Sequence, residues 1–211
     1  MRRLLWLSSL FVLAFASCNT PPKQARLPVL GPMELSPATN GAYDTTFFDY
    51  PDYNWLDQDS LPFNPDSLQN QVFLVDFFFT SCPSICIDMQ RELKRVYAAF
   101  GERNDFRIVS HTIDPDFDRP SRLKAYAAHS GVTNRNWLFI NGPADEVYRV
   151  AQKAYLSLAA QDSTAPGGFL HSGTFILLDT DKRIRGVYDG TSAADVDRLL
   201  QELPLLLNEN E

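Results

Sequence analysis

The amino-acid sequence predicts an α/β fold: a sandwich in which a central mixed sheet carries helices on both faces, with a small hairpin at its N-terminal end. Apolar runs typical of buried strands alternate with segments of helical periodicity, and the chain then closes with a hairpin and a final helix. The chain has 211 residues, of which 45% are hydrophobic and 21% charged. This length and composition suffice to bury a core, which argues against disorder over the whole chain.

Local sequence signals define the individual elements. Residues 72–79 (VFLVDFFF) form a nearly continuous apolar run, as expected of a central strand buried on both faces. Apolar residues recur at helical spacing over 83–100, and Gly101 is a stop signal. In chain order we predict a hairpin at 53–56 and 61–63, a helical turn at 64–67, a strand at 72–79, a helix at 83–100, a strand at 106–113, a helix at 118–129, a strand at 137–140, a helix at 145–158, an irregular loop at 159–170, a hairpin at 174–178 and 184–188, and a helix at 193–207 that Pro204 bends or ends.

The first residues, 1–17, have the features of an export signal. Arg2 and Arg3 begin it, and an apolar stretch too short for a membrane span follows. Residues 15–18 (FASC) resemble the lipobox of bacterial lipoproteins, with Phe where an aliphatic residue is usual. We therefore predict a lipoprotein signal peptide over 1–17 and lipid attachment at Cys18. An ordinary cleaved signal followed by a stray cysteine is the alternative.

A proline-rich segment separates this leader from the folded domain. Residues 18–45 have few periodic apolar positions, which predicts a flexible tether, and the domain then comprises 46–211. We expect an exported protein anchored by its lipid to a membrane facing the periplasm, inner or outer; Asn19 favours the outer membrane by resemblance to lipoprotein sorting. The net charge is -7 and becomes about -9 without the two leader arginines, so nucleic acid is a poor partner.

Cys82 and Cys86 fall where the first central strand is followed by its helix. Three residues separate them, which places both on one face of the first helical turn, where the helix N-terminus lowers thiol pKa values. Such a pair can close a structural disulfide, exchange disulfides or bind a soft metal. Zinc usually requires four protein ligands and an iron–sulfur cluster requires more cysteines than the chain has, whereas Cu(I) accepts two thiolates and an imidazole. The spacing alone leaves these uses open.

His171 changes the balance between these uses. The predicted order β-α-β-α-β-α-β-β-α is thioredoxin-like with one additional βα step, and His171 directly precedes a late strand. In thioredoxin-like sheets the loop before this strand faces the cysteine motif, and thioredoxins have a cis-proline there. A metal-capable side chain at this position argues against a simple oxidoreductase.

Three segments together resemble the Sco/SenC family of copper-binding assembly proteins: residues 77–86 (FFFTSCPSIC), 110–118 (SHTIDPDFD) and 171–179 (HSGTFILLD). The resemblance extends over about 47–207. It implies that Cys82, Cys86 and His171 bind one copper ion per chain. Asp114 and Asp118 match the family's acidic motif, which lies near the site and serves to support the ligands or to dock a partner. The sequence departs from the family at three positions: Ile87 replaces proline, Leu170 replaces aspartate, and His111 stands at a commonly apolar position.

The resemblance implies a membrane-anchored copper metallochaperone that delivers copper to the binuclear copper site of a respiratory oxidase, or to another copper acceptor. On this hypothesis, Gly167 and Gly168 make the preceding loop mobile so that His171 joins and leaves the metal. One rival is a thiol-disulfide reductase that uses Cys82 and Cys86 to keep the partner's cysteines reduced. The other is a non-catalytic adaptor in which the pair forms a structural disulfide. We expect the remaining histidines, His111 and His129, to be structural.

Overall fold

The computed structural model describes residues 26–38, 42–47 and 51–209, so the predicted leader and Cys18 lie outside the described residues. The elements in chain order are β1 (Met33–Pro37), β2 (Tyr43–Phe47), β3 (Trp55–Asp57), β4 (Pro62–Phe63), β5 (Val72–Phe78), α1 (Cys86–Phe100), β6 (Phe106–Thr112), α2 (Pro120–His129), β7 (Trp137–Asn141), α3 (Ala144–Ala154), β8 (Ala159–Gln161), β9 (Phe169–His171), β10 (Thr174–Leu178), β11 (Ile184–Asp189) and α4 (Ala193–Asn208). A 3-10 turn covers Pro65–Leu68, as predicted, and Asn64 caps it. Among these residues, no helix is long and apolar enough to span a bilayer.

Within the described residues, seven strands form the central sheet in the order β11-β10-β5-β6-β7-β3-β4. Strands β5, β6 and β7 run parallel, while β10 lies antiparallel to β5 on its other side. Strand β5 is therefore central, and all seven of its residues are buried, which explains its continuous apolar run. The mixed sheet and the thioredoxin-like order of elements confirm the predicted fold class.

Helices cover both faces of the sheet. Alternate residues of β5 point to opposite sides, and the side chains on both sides are buried. Phe78 stacks on Tyr126 of α2, with ring centroids 5.3 Å apart. Its neighbour Phe77 faces the other layer, where it meets Tyr155, directly after α3, at 5.6 Å. Helix α1 lies between α2 and α4: Gln90 donates a hydrogen bond to Ser130, and Arg95 pairs with Asp197.

Two predicted boundaries in the second half of the chain are wrong. Helix α3 ends at Ala154 instead of 158, because Leu156 has a left-handed backbone with φ of 52°. The predicted irregular loop at 159–170 contains the antiparallel pair β8–β9, in which His171 is paired with Ala159.

Helix α4 continues through Pro204 to Asn208, so the helix does not end at this proline, and a bend there stays a prediction. An internal proline costs a helix about 3 kcal/mol. Burial of the apolar face of α4 offsets this cost, since each fully buried aliphatic side chain contributes about 1.5–3 kcal/mol. The buried side chains of this face are those of Val196, Leu199, Leu203, Leu206 and Leu207.

The range predicted as a flexible tether contains ordered structure. Strand β1 lies within it and pairs antiparallel with β2, which extends beyond it to Phe47. Upstream of the hairpin, the Arg185 guanidinium donates hydrogen bonds to the Leu27 carbonyl and forms ion pairs with Asp179 at 3.1 Å and Glu209 at 2.8 Å. The Leu30 N–H also donates to the Ile184 carbonyl at 2.7 Å. We call this set of contacts the N-terminal clamp. It fastens residues 27–30 to the edge strand β11.

His111 is a core residue, as expected of a structural histidine. It is fully buried, its Nε2 lies 2.8 Å from the Tyr53 hydroxyl, and its ring stacks on Phe77. Burial lowers the pKa of His111 to about 3. The unfolded chain, with a histidine pKa of about 6.5, therefore binds an extra proton between these values, so the His111 contribution to stability is lost as pH falls from 6.5 towards 3.

We predict that replacing His111 by leucine removes this acid sensitivity. The pH dependence of the free energy of unfolding should change by about one proton, or about 1.4 kcal/mol per pH unit, between pH 6 and 4. Burial raises the pKa of Asp76 to about 7 and gives a slope of opposite sign, so native protein and variant must be compared by urea titration at each pH. His129→Leu, at an exposed position, is the control; equal slopes in all three proteins would contradict the prediction.

Candidate metal centre

The two cysteines lie on the connection from β5 to α1, but only one of them is helical. Helix α1 begins at Cys86, so the prediction that both thiols lie on its first turn is wrong. The chain instead turns at Cys82, whose N–H donates to the Phe79 carbonyl at 3.2 Å. Contacts of Thr80 with a distant loop, described below, hold this turn in place. The effect is that Cys82 is half-buried at the surface while Cys86 is buried.

The structure brings Cys82, Cys86 and His171 together. One potential ligand atom from each lies within 4.8 Å of the others, and both cysteines are free thiols. The Cys86 sulfur is 3.2 Å from Nε2 of His171. His171 arrives from the end of β9, on the opposite side of the cysteine turn. This arrangement places two sulfurs and one imidazole nitrogen around a single point, which suits a soft metal ion such as Cu(I).

The second nitrogen of His171 fixes which nitrogen faces the sulfurs. Nδ1 lies 3.1 Å from the Ser172 carbonyl oxygen, which can only accept, so Nδ1 carries the proton. Nε2 then presents its lone pair to Cys86. A metal-binding histidine needs this tautomer, in which the outer nitrogen donates to a carbonyl and the inner one is free to ligate.

The two thiols share their protons unequally. A hydrogen bond from Cys86 lowers the pKa of the Cys82 thiol well below its usual range, and Ser84 adds to the effect. The same hydrogen bond, together with burial, raises the pKa of Cys86. The Cys82 thiol therefore loses its proton more readily than the Cys86 thiol. Metal binding through both sulfurs must displace any proton that Cys86 carries.

Asp118 supports the cysteine turn from behind. Its buried carboxylate accepts hydrogen bonds from the Thr80 N–H at 2.9 Å, from the Thr80 hydroxyl and from the Thr112 hydroxyl at 2.7 Å. Arg122 also donates to the Thr80 hydroxyl at 2.7 Å. Thr80 is two residues before Cys82, so the carboxylate fixes the start of the turn. Asp118 thus occupies the supporting position that the sequence allowed for it.

Asp114, the other acidic residue of the motif, begins the same loop and is partly buried. Burial, followed by the charge of Asp118, raises the pKa of Asp114. Its role in docking a partner stays a prediction.

The β8–β9 hairpin is fitted closely against the cysteine turn. The rings of Phe79 and His171 lie edge to face at 6.0 Å. A Cβ at Gly167 would come within 2.9 Å of the Phe79 ring and 3.1 Å of Pro83, and Gly167 has φ of 77°. The glycine therefore serves close packing here, in addition to any flexibility that the sequence assigns to it.

Sequence reasoning missed three polar residues of this region. Thr80 and Arg122 connect the cysteine turn to Asp118, a contact between positions about forty residues apart that no local pattern reveals. Asp76 is a buried carboxyl on β5 that accepts from Ser110, and burial raises its pKa to about 7. The signal for Asp76 was present, since it is the one carboxylate in the apolar run 72–79.

Two of the departures from the family pattern lie on the surface around the site. Ile87 is 67% exposed and Leu170 is 42% exposed, each directly adjacent in sequence to a candidate ligand. They therefore alter the surface that a partner would meet and leave the three candidate ligands in place.

Fold and site together define a class of protein: a thioredoxin-like domain whose cysteine motif is completed by a histidine into a three-ligand soft-metal site. Comparison with known proteins identifies the family within this class. The SCO1/SenC family model matches residues 45–207, and the chain belongs to this family. This confirms the resemblance found in the three sequence segments.

Individual relatives are similar over most of the domain. A SCO1 protein homolog of Bacillus subtilis is 28% identical over 159 residues, which cover 72% of this chain and 79% of the relative. A putative copper-binding protein of Stutzerimonas stutzeri is 26% identical over 161 residues, covering 75% and 76%. The crystal structure of a SCO1/SenC family lipoprotein from Bacillus anthracis is 26% identical, with a TM-score of 0.68 over 75% of this chain and 94% of that one.

Proposed function

We propose that the protein is a copper metallochaperone that binds one copper ion through Cys82, Cys86 and His171 and delivers it to the binuclear copper site of a respiratory oxidase. The observation that carries this proposal is the convergence of three soft-metal ligands within 4.8 Å. Family membership supports it, as does the relative described as a putative copper-binding protein. We propose further that the protein is exported and held at a membrane by a lipid on Cys18, in line with the relative described as a lipoprotein.

The site provides a route by which copper cargo could enter and leave. Cys82 is half-buried while Cys86 is buried, and the pKa of the Cys82 thiol is lowered, so Cys82 is the first ligand that a donor or acceptor meets. Cys86 and His171 are buried and close around the ion from the inside. Transfer then proceeds by stepwise ligand exchange that begins at Cys82, which does not require the loop before His171 to move freely.

Anaerobic titration of the reduced protein with Cu(I) tests the proposal. We expect one ion per chain, and a loss of affinity of more than about a hundredfold in His171→Ala, since even residues outside the ligand set cost 10–100-fold. His129→Ala, an exposed histidine at the end of α2, is the matched control and should bind as the native protein does. Undiminished binding in His171→Ala would remove this residue from the site.

The lowered pKa of a half-exposed cysteine also favours thiol-disulfide reduction as a second function. The same His171→Ala variant separates the two functions. Full turnover of a disulfide substrate by a variant that has lost copper would establish the reductase independently of copper. An absence of turnover, with a melting temperature that responds to oxidation and not to copper, would instead point to the adaptor with a structural disulfide.

A further inference from the structure

A groove runs between α1 and α2 and opens at the two cysteines. Its volume is about 360 Å³, and its apolar floor includes Phe79 and Tyr126, with Ile87 at the edge. Cys82 and Cys86 form one end of it. A segment lying in this groove would therefore contact the metal site from the side where Cys82 is exposed.

The charge of the groove is opposite to that of the chain. The chain has a net charge of -7, yet the charged residues that line the groove are Arg91 and Lys94, and no carboxylate lines it. Arg91 is partly neutralised by Asp88 and Glu92, at 2.7 Å and 3.2 Å. Lys94 is exposed and, in the part of the chain that the structure describes, forms no ion pair. The exposed His129 lies on the opposite wall.

We propose that this α1–α2 groove is the docking site for an acidic segment of the protein partner. Carboxylates of the segment meet Lys94, an apolar side chain contacts Ile87 and Tyr126, and the partner's own metal-binding side chain is brought to Cys82. The inference rests on the proposed function, because it specifies which partner surface receives the copper. Charge complementarity selects the occupant: the net charge of the chain repels an acidic peptide, whereas the cations of this local surface attract it.

The half-buried thiol of Cys82, at the end of the groove, provides a test that needs no copper. The probes are two tetrapeptides, Glu-Leu-Cys-Glu and Lys-Leu-Cys-Lys, each activated as a mixed disulfide with 5-thio-2-nitrobenzoate. The Cys82 thiolate attacks the peptide sulfur, a Cys82–peptide disulfide forms, the activated disulfide bond breaks, and 5-thio-2-nitrobenzoate leaves with the electron pair. Absorbance of the released thiolate gives the second-order rate, and Cys82→Ser establishes that the reaction occurs at this residue.

We expect the acidic peptide to react about tenfold faster than the basic one at low salt, with the ratio approaching one at about 1 M salt. Lys94→Glu should remove the preference or reverse it. Lys153→Glu, the same charge change on an exposed position of α3, should leave it unchanged. The net charge alone predicts the opposite order in the native protein, so a faster basic peptide, or equal effects of the two substitutions, would overturn the proposal.

Two further measurements keep this inference separate from the proposed function. Lys94→Glu should bind Cu(I) as the native protein does. If the native protein binds no copper yet prefers the acidic peptide, the proposed chaperone function is rejected, while the assignment of the groove to an acidic segment stands. Sedimentation identifies the competing occupant. A native dimer that Lys94→Glu converts to monomer would assign the groove to a second copy of this chain and overturn the proposal.

Discussion

Replacing Asp118 by alanine should destabilise the domain by about 3 kcal/mol and weaken Cu(I) binding about 10–100-fold. The substitution leaves the Thr80 N–H and the Thr80 and Thr112 hydroxyls without their acceptor in a partly to fully buried region, and each such loss costs about 1–3 kcal/mol where the group is buried. The turn that carries Cys82 is then held less firmly, which is the reason for the copper effect. Denaturant unfolding measures the first quantity, and competition with a Cu(I) chelator measures the second.

The same loop supplies the control for this experiment. Asp116 is two residues away, and its side chain is 92% exposed. Asp116→Ala removes the same charge and should change stability by no more than about 0.5 kcal/mol, the usual range for surface substitutions. Equal effects of the two substitutions would show that the acidic motif acts through its charge and not through its contacts with Thr80.

The second large effect is expected at the N-terminal clamp. Arg185→Ala removes the shared partner of Asp179 and Glu209, whose side chains are only 8% and 13% exposed. Removing one member of a buried ion pair costs about 3–5 kcal/mol, because the remaining charges are left uncompensated. The segment 27–30 also loses its hydrogen bonds to Arg185, so its cleavage by added protease should become faster.

Arg183→Ala provides the comparison, since Arg183 is 39% exposed and pairs with the exposed Asp181 at 3.4 Å. That substitution should cost less than about 1 kcal/mol and leave the cleavage rate unchanged. If Arg185→Ala lowers stability without faster cleavage at the N-terminal segment, the ion pairs stabilise the domain but do not hold the segment.

The sequence predicted the central fold because its strongest signals are local. The apolar run around Phe77 and the helical periodicity after Cys86 each reflect burial of the element itself, and the order of elements then determines the thioredoxin-like arrangement. Local signals did not suffice to predict the three metal ligands. The spacing of Cys82 and Cys86 was ambiguous, and His171 was predicted as a ligand only from its place in the fold and from the family resemblance.

What the sequence did not predict depends on contacts between distant residues. Asp118 holds Thr80 at the turn before α1, and Gly167 of the β8–β9 hairpin packs against Phe79. The contact between Arg185 and Leu27 joins positions 158 residues apart. No pattern within a single helix or strand contains this information. The burial that offsets the cost of Pro204 in α4 is likewise not visible in such a pattern.

The N-terminal clamp also limits how far the domain can travel from its anchor. With a lipid on Cys18, as proposed, a leash that ended at residue 45 would extend up to about 97 Å, at about 3.6 Å per residue. A leash that ends at Leu27 extends up to only about 32 Å. The volume that the domain can search shrinks with the cube of this length, to about one twenty-seventh, and its local concentration at the membrane rises in proportion. On the proposed function, fastening four residues to a sheet edge therefore shortens the distance at which an acceptor can be reached by up to about 65 Å.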